Sequence, residues 1–265
     1  MHPLSVTLIQ SNLHWENKEA NLKQFAEKIQ QKTASGQLVI LPEMFSTGFS
    51  MNPAQLAETM EGPTVQWMKE MAAKQKIILT GSVIITEEEK FFNRLLWVLP
   101  NGVVAYYNKR HLFAFAGEDQ FYASGNKRFI ASVNGWKINL QICYDLRFPV
   151  WARQQITDTP EYDLLVYVAN WPERRNHAWK TLLTARAIEN QCYVIGVNRV
   201  GEDANGINHS GDSMIVDPLG QVLYHSAQEE AITTHVLNPD HLQDCRTRFP
   251  FWKDADTFSI YQQDL

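Results

Sequence analysis

Three residue types suited to acyl-transfer chemistry stand at the ends of three separate strand-like runs: Glu43, Lys109 and Cys143. Cys143 follows Asn139-Leu140-Gln141-Ile142, and beyond it Asp-Leu-Arg-Phe-Pro-Val-Trp-Ala-Arg reads as a helix opening. A thiol at such a corner faces unpaired N–H groups and the positive end of a helix, which favour the thiolate. Most free cysteines are simply apolar core, so the other two segments decide the matter. Glu43 lies just past the apolar run of residues 38–42, where a carboxylate is costly to bury unless it is paired or used. Lys109 opens the basic cluster Lys109-Arg110-His111 after the β-rich run of residues 103–107. A thiol needs a base, which Glu43 could be. A tetrahedral intermediate needs positive charge and N–H donors, which Lys109 and the backbone N–H of Tyr144 could supply. A papain-like Cys–His pair is the rival mechanism, but the residues around Cys143 lack that signature, and Glu43 and Lys109 would then go unexplained.

The elements that must position these residues alternate between helix and strand. Residues 17–32 carry Leu22, Phe25, Ala26 and Ile29 at helical spacing, and Gly62-Pro63 precedes a second helix over 64–75. Residues 77–85 read as a buried strand. Residues 93–99 and 103–107 flank the turn Pro100-Asn101-Gly102. Strands follow at 136–142 and 163–169, a helix at 176–191 and a strand at 192–197. A second hairpin, 213–216 with 221–225, turns at Asp217-Pro218-Leu219-Gly220, and residues 231–236 close the regular part. The tail carries Phe249-Pro250-Phe251-Trp252 and is expected to pack on the rest. This order predicts an α/β layered fold. The pattern alone does not separate a doubly wound sheet from two stacked sheets.

Leu41-Pro42-Glu43, Asn108-Lys109-Arg110-His111-Leu112 and Cys143-Tyr144-Asp145-Leu146-Arg147-Phe148-Pro149 resemble, in order and separation, the three catalytic segments of the nitrilase superfamily, the carbon–nitrogen hydrolases. Ala169-Asn170-Trp171-Pro172 and His209-Ser210-Gly211-Asp212-Ser213 extend the likeness, which runs from about residue 5 to 236. The resemblance implies an α/β four-layer α-β-β-α sandwich and a homodimer that joins two of them. It implies a Cys143 thioester, Glu43 as general base and Lys109 as oxyanion stabiliser. It also implies a second glutamate soon after the lysine, for which Glu118 is the match and the adjacent Asp119 the rival.

The segments 42–45, 109–113, 167–172 and 184–191 are most similar to the ω-amidase branch. That likeness implies hydrolysis of 2-oxoglutaramate to 2-oxoglutarate and ammonia. The free carboxylate of such a substrate calls for a cation, ideally a bidentate arginine. Arg174, Arg175 and Arg147 are candidates; Arg147 is expected to pair with Asp145, and Arg175 is favoured. Phe45, Tyr144 and Trp171 are candidate pocket walls. Alternatives are a family member acting on a nitrile, carbamoyl or simple amide group, and a non-catalytic dimeric scaffold.

Composition bounds these readings. The 265 residues suit one domain over 1–265, with a core of about 4–236 and a tail over 237–265. Hydrophobic content of 45% and charged content of 20% are ordinary for a globular protein. A net charge of -5 argues against general nucleic-acid binding. Three cysteines without paired spacing fit a reducing, cytoplasmic setting. The N-terminus reads as a first strand, and no stretch approaches the roughly 18 apolar residues of a membrane span. Eight histidines show no metal-ligand spacing, and His111, His177 and His209 are expected to be structural or peripheral. No metal or cofactor is expected; the expected partners are a small amide substrate and a second copy of the chain.

Overall fold

Residues 164–169 show how this sequence makes layers. Leu164, Val166 and Val168 enter one apolar cluster, Leu165, Tyr167 and Ala169 enter another, and all six are fully buried. A strand apolar on both faces must lie between two other layers. The computed structural model describes residues 1–32, 37–155 and 158–261. Among these, the strands in chain order are β1 (Leu4–Gln10), β2 (Leu38–Ile40), β3 (Ile78–Glu87), β4 (Lys90–Val98), β5 (Val104–Asn108), β6 (Ile130–Val133) and β7 (Trp136–Ile142). They continue with β8 (Leu164–Ala169), β9 (Tyr193–Asn198), β10 (Val200–Glu202), β11 (Asn208–Val216), β12 (Val222–Ala227) and β13 (Ala231–Leu237).

The first sheet has the order β13-β1-β2-β3-β4-β5, and the second β10-β11-β9-β8-β7-β6 with β12 paired to β11. Leu4, Val6, Ile40 and Trp97 of the first sheet meet Ile138, Leu140, Val166 and Ile195 of the second in an inner core. On the outer face of the first sheet, Phe25 and Ile29 of helix Lys18–Lys32 and Val65 and Met68 of helix Pro63–Gln75 cover Ile9, Val39 and Leu79. On the outer face of the second, Trp179, Leu183 and Ala187 of helix Asn176–Asn190 cover Leu165, Tyr167 and Val194. The result is the expected α-β-β-α sandwich, and both expected hairpins form.

Strand direction gathers the chemistry. β1, β2 and β3 are mutually parallel, and β5 lies two antiparallel steps from β3, so β2 and β5 end on the same side. In the second sheet β7, β8 and β9 are parallel. Glu43, Lys109, Cys143 and Asn170 thus all follow the C-terminal ends of strands, where open α/β sheets assemble sites.

Regular structure continues past residue 236. Helix Pro239–Arg248 starts at Asn238, whose side chain accepts the Asp240 N–H. Only Pro239, Leu242, Cys245 and Arg246 of this helix are buried, so it lacks the long apolar stripe that marks a helix in sequence. Arg246 anchors it by donating to Asp163 Oδ1 at 2.6 Å and to the carbonyls of Tyr162 and Gln191 at 2.7 and 2.9 Å. The Trp252 N–H reaches Gln191 Oε1 at 3.0 Å, so the expected packing of the aromatic tail is a tie to the residue that caps helix Asn176–Asn190, while Phe249 and Phe251 stay exposed. The last four residues of the tail lie outside the described residues. Among the described residues no helix is long and apolar enough to cross a membrane.

Candidate active site

The Glu43 carboxylate is presented where β2 stops. Pro42 has no N–H to continue the ladder, and Met44 takes a left-handed φ of 44° that turns the chain. Lys109 follows β5, its N–H held by the Asn93 carbonyl of β4 at 2.9 Å. Cys143 follows β7 with φ 43°, a region sparsely populated by non-glycine residues. Glu118 opens a one-turn helix after Gly117, whose φ of 77° favours glycine.

These four side chains converge. Lys109 Nζ lies 2.9 Å from Glu43 Oε1 and 3.0 and 2.9 Å from the two Glu118 oxygens, with all three side chains fully buried. Asn93 Nδ2 donates to Glu43 Oε1 at 2.8 Å and to Glu118 Oε1 at 3.4 Å. The Asn170 N–H reaches Glu43 Oε2 at 2.8 Å, and the Phe113 N–H reaches Glu118 Oε2 at 2.6 Å. Of the four carboxylate oxygens only Glu43 Oε2 has a single donor among the described residues, and the Glu43 charge acts on the Cys143 thiol. Glu118 therefore has its lone pairs filled, whereas Glu43 faces the thiol.

Burial works against the Lys109 charge, but Glu118 and Glu43 outweigh it and hold the ammonium above the ordinary lysine range. Burial pushes the Glu118 carboxyl up against the pull of Lys109. Burial pushes the Cys143 thiol well up, the Glu43 charge adds to this, and Lys109 pulls back. The helix N-terminus expected to favour the thiolate does not outweigh burial and the Glu43 charge. The reason lies in the chain after Cys143: a five-residue 3₁₀ turn, Cys143–Arg147, then the single turn Pro149–Ala152. Pro149 forces Phe148 out of helical geometry, so no long helix dipole points at the sulfur. Proton removal must then accompany attack, with Glu43 as the acceptor.

The cluster floors a cavity of about 240 Å³ whose lining includes Lys109, Cys143, Tyr144, Asn170 and Trp171. Arg147, Arg174 and Arg175 also line it, together with Phe49, Phe113, Phe115, Asp203, Ile207 and His209. Tyr144 packs 4.9 Å from Phe113, and Trp171 donates its indole N–H to the Arg175 carbonyl at 2.8 Å. Among the described residues no carboxylate lies in ion-pair range of the three guanidiniums. Arg175 is half-buried over the Phe113 ring at 5.1 Å; burial and its neighbours Arg174 and Arg147 lower its affinity for a proton.

Three expectations are corrected. Phe45 is not a pocket wall: it is fully buried on the helix side, 5.5 Å from Phe25 and 5.9 Å from Trp67. Gly81 makes room for it, since a Cβ there would come within 2.9 Å of the Phe45 ring. Arg147 does not pair with Asp145; its guanidinium lies 4.9 Å over the Trp171 ring, while Asp145 binds Tyr107, His111 and Ile142. His209 is not peripheral but lines the cavity, kept neutral by burial and by Arg199, with its pKa lowered to about 4. Between the two acids, Glu118 turns inward and Asp119 is exposed. Sequence reasoning missed Asn93, which touches both carboxylates, and Phe49, 5.1 Å from the Lys109 ammonium.

Comparison with known proteins bears on this geometry. A family model described as carbon–nitrogen hydrolase matches residues 5–247. "Omega-amidase YafV" of Yersinia enterocolitica is 43% identical over 264 residues, covering 98% of this chain and all of the relative. "2-oxoglutaramate amidase" of Bacillus subtilis is 30% identical over 253 residues, covering 94% of this chain and 96% of the relative. A CN-hydrolase superfamily protein from Xanthomonas campestris, crystallised with an arsenic adduct in its active site, superposes with a TM-score of 0.97. It is 43% identical and covers 98% of this chain and all of its own.

Proposed function

The chain belongs to the carbon–nitrogen hydrolase family, and from that premise we propose that it is an ω-amidase acting on 2-oxoglutaramate. The observation that carries the substrate class is a set of three guanidiniums without carboxylate partners that share one cavity with the partly buried Cys143. Unpaired arginines converging on a cavity call for an anion. A short monoamide with a free carboxylate satisfies both ends. The names of the relatives, ω-amidase and 2-oxoglutaramate amidase, support the same choice.

In this reading Glu43 takes the Cys143 proton as the sulfur attacks the amide carbon. Lys109 and the Tyr144 N–H receive the charge on oxygen; the first amides of a helical turn have no partner within it. The intermediate collapses as Glu43 returns the proton to nitrogen, so the C–N bond breaks, ammonia leaves and a thioester remains. Water then attacks the thioester with Glu43 as base, releasing the acid and the thiol. Glu118 holds Lys109 in place through both of its oxygens. Arg175 is assigned to the substrate carboxylate: it is half-buried where Arg174 is exposed, and it stands over the Phe113 ring of the cavity wall while Arg147 stands over Trp171. Asn170 and Trp171 shape the wall beside it.

A nitrile, carbamoyl or uncharged amide substrate would leave the arginines without a function. Replacing Arg175 by Gln should cut kcat/KM for 2-oxoglutaramate about 10–100-fold, the scale of a lost charged hydrogen bond. The same change should leave uncharged amides such as propionamide within about two-fold. An equal loss on both substrates would sink the assignment.

The chain is further proposed to act as a homodimer in the cytoplasm. Exposed Ile188 on helix Asn176–Asn190 and exposed Val222 beside it support an apolar contact face. Three free cysteines support a reducing compartment.

A further inference from the structure

We propose that Asp145 is a positioning residue that sets Lys109 and Cys143 at their working separation, by bonding at once to the chain on both sides of the lysine and to the turn bearing the thiol. The proposal rests on the reading of Cys143 as the nucleophile. Asp145 is fully buried. Its Oδ1 accepts the His111 backbone N–H at 2.9 Å and faces His111 Nδ1 at 2.8 Å. Its Oδ2 accepts the Tyr107 hydroxyl at 2.8 Å and the Ile142 N–H at 3.0 Å. A carboxylate accepts but does not donate, so His111 carries its proton on Nδ1.

The placement of the partners gives these bonds their consequence. Tyr107 and His111 stand two residues before and two after Lys109, on and beyond β5 of the first sheet. Ile142 ends β7 of the second sheet, immediately before Cys143. One carboxylate therefore spans the gap between the sheets at the level where lysine and thiol must meet. Its partners are themselves fixed. Tyr107 Oη accepts the Trp151 indole N–H at 2.9 Å and the Arg110 N–H at 3.1 Å, and the His111 ring stacks on Phe148 at 3.8 Å. Phe148 lies in the chain just after the Cys143 turn, so the stack ties the same two segments a second time.

Each carboxylate oxygen serves two donors, and an amide of the same shape has only one oxygen. In Asp145→Asn one pair of donors faces an NH₂ group, so at least the backbone N–H of that pair loses its bond and opposes another N–H. The segments then move apart, and a displacement of about 1 Å near a reacting centre costs about 100-fold.

The test compares wild type, Asp145→Asn, Tyr107→Phe and Cys143→Ala. It measures kcat and KM on 2-oxoglutaramate, the rate of Cys143 alkylation by iodoacetamide, and the unfolding temperature. In Asp145→Asn we expect kcat to fall about 10–100-fold with KM within about two-fold, and alkylation to slow in parallel. In Tyr107→Phe, which removes one donor, kcat should fall about 3–10-fold. A folded Asp145→Asn with wild-type kcat and alkylation, changed only in unfolding temperature, would show a purely structural residue and overturn the proposal. If Asp145→Asn does not fold, Tyr107→Phe decides by the same criterion. Wild-type turnover by Cys143→Ala would instead remove the nucleophile reading, and the proposal with it.

Discussion

Replacing Lys109 by Met should make the stability of this protein fall more steeply with rising pH than that of the wild type. The Lys109 ammonium makes three charge-assisted bonds, at 2.9, 3.0 and 2.9 Å, to two carboxylates with no exposure to water. Methionine matches the length of the side chain but leaves both carboxyl groups without a cation. Breaking a buried ion pair by removing one partner costs about 3–5 kcal/mol. At about 2–4 °C per kcal/mol for a chain of this size, the midpoint should fall about 6–20 °C at pH 8. The sign of the pH dependence follows from the charges. Burial and the Glu43 charge already raise the Glu118 carboxyl, and without the pull of the lysine it rises further above its unfolded value of about 4.3. Such a group contributes stability that is present below the unfolded value and lost as pH rises through the folded one. The gap between variant and wild type should therefore narrow at pH 5 and widen at pH 8. Thermal unfolding of both proteins at the two pH values measures it. A variant as stable as wild type at both would refute the claim that Lys109 compensates two buried carboxyl groups.

Phe45→Ala should cost about 3–5 kcal/mol in urea unfolding yet leave KM within two-fold, because the ring packs under the helices and not in the cavity; a raised KM would return Phe45 to the pocket. Glu43→Gln should lose about 10²–10⁴-fold in turnover. Because the Glu43 charge pushes the Cys143 thiol up, the same variant should shift the pH of half-maximal alkylation downward. An upward shift would show that the carboxylate does not act on the sulfur.

Much of this arrangement was legible in the sequence because strand ends are legible. The runs before Glu43, Lys109 and Cys143 are apolar or β-rich and end abruptly, and parallel strands bring such ends together. Asn93 was missed because it sits inside a strand with no motif around it. A count from the hairpin would have found it: Asn93 and Lys109 stand equally far from Asn101, and the observed register pairs Arg94 with Asn108. Phe45 was misplaced because strand alternation does not survive the left-handed turn at Met44. Arg147 is wrongly paired by the sequence, since its nearness suggests Asp145 as partner while the 3₁₀ turn points Asp145 into the space between the sheets. The helix after residue 238 escaped because its few buried positions are fixed by Arg246 and its polar bonds more than by an apolar stripe.

The central claim is that Cys143 is the nucleophile of a 2-oxoglutaramate amidase. Ammonia release from 2-oxoglutaramate by wild type and Cys143→Ala tests it most directly, with glutamine, asparagine and a simple nitrile for comparison. The account predicts turnover of the keto-amide above the comparison substrates, abolished in the variant while its unfolding temperature is retained. Turnover that persists in Cys143→Ala, or a wild type that prefers the nitrile, would contradict it.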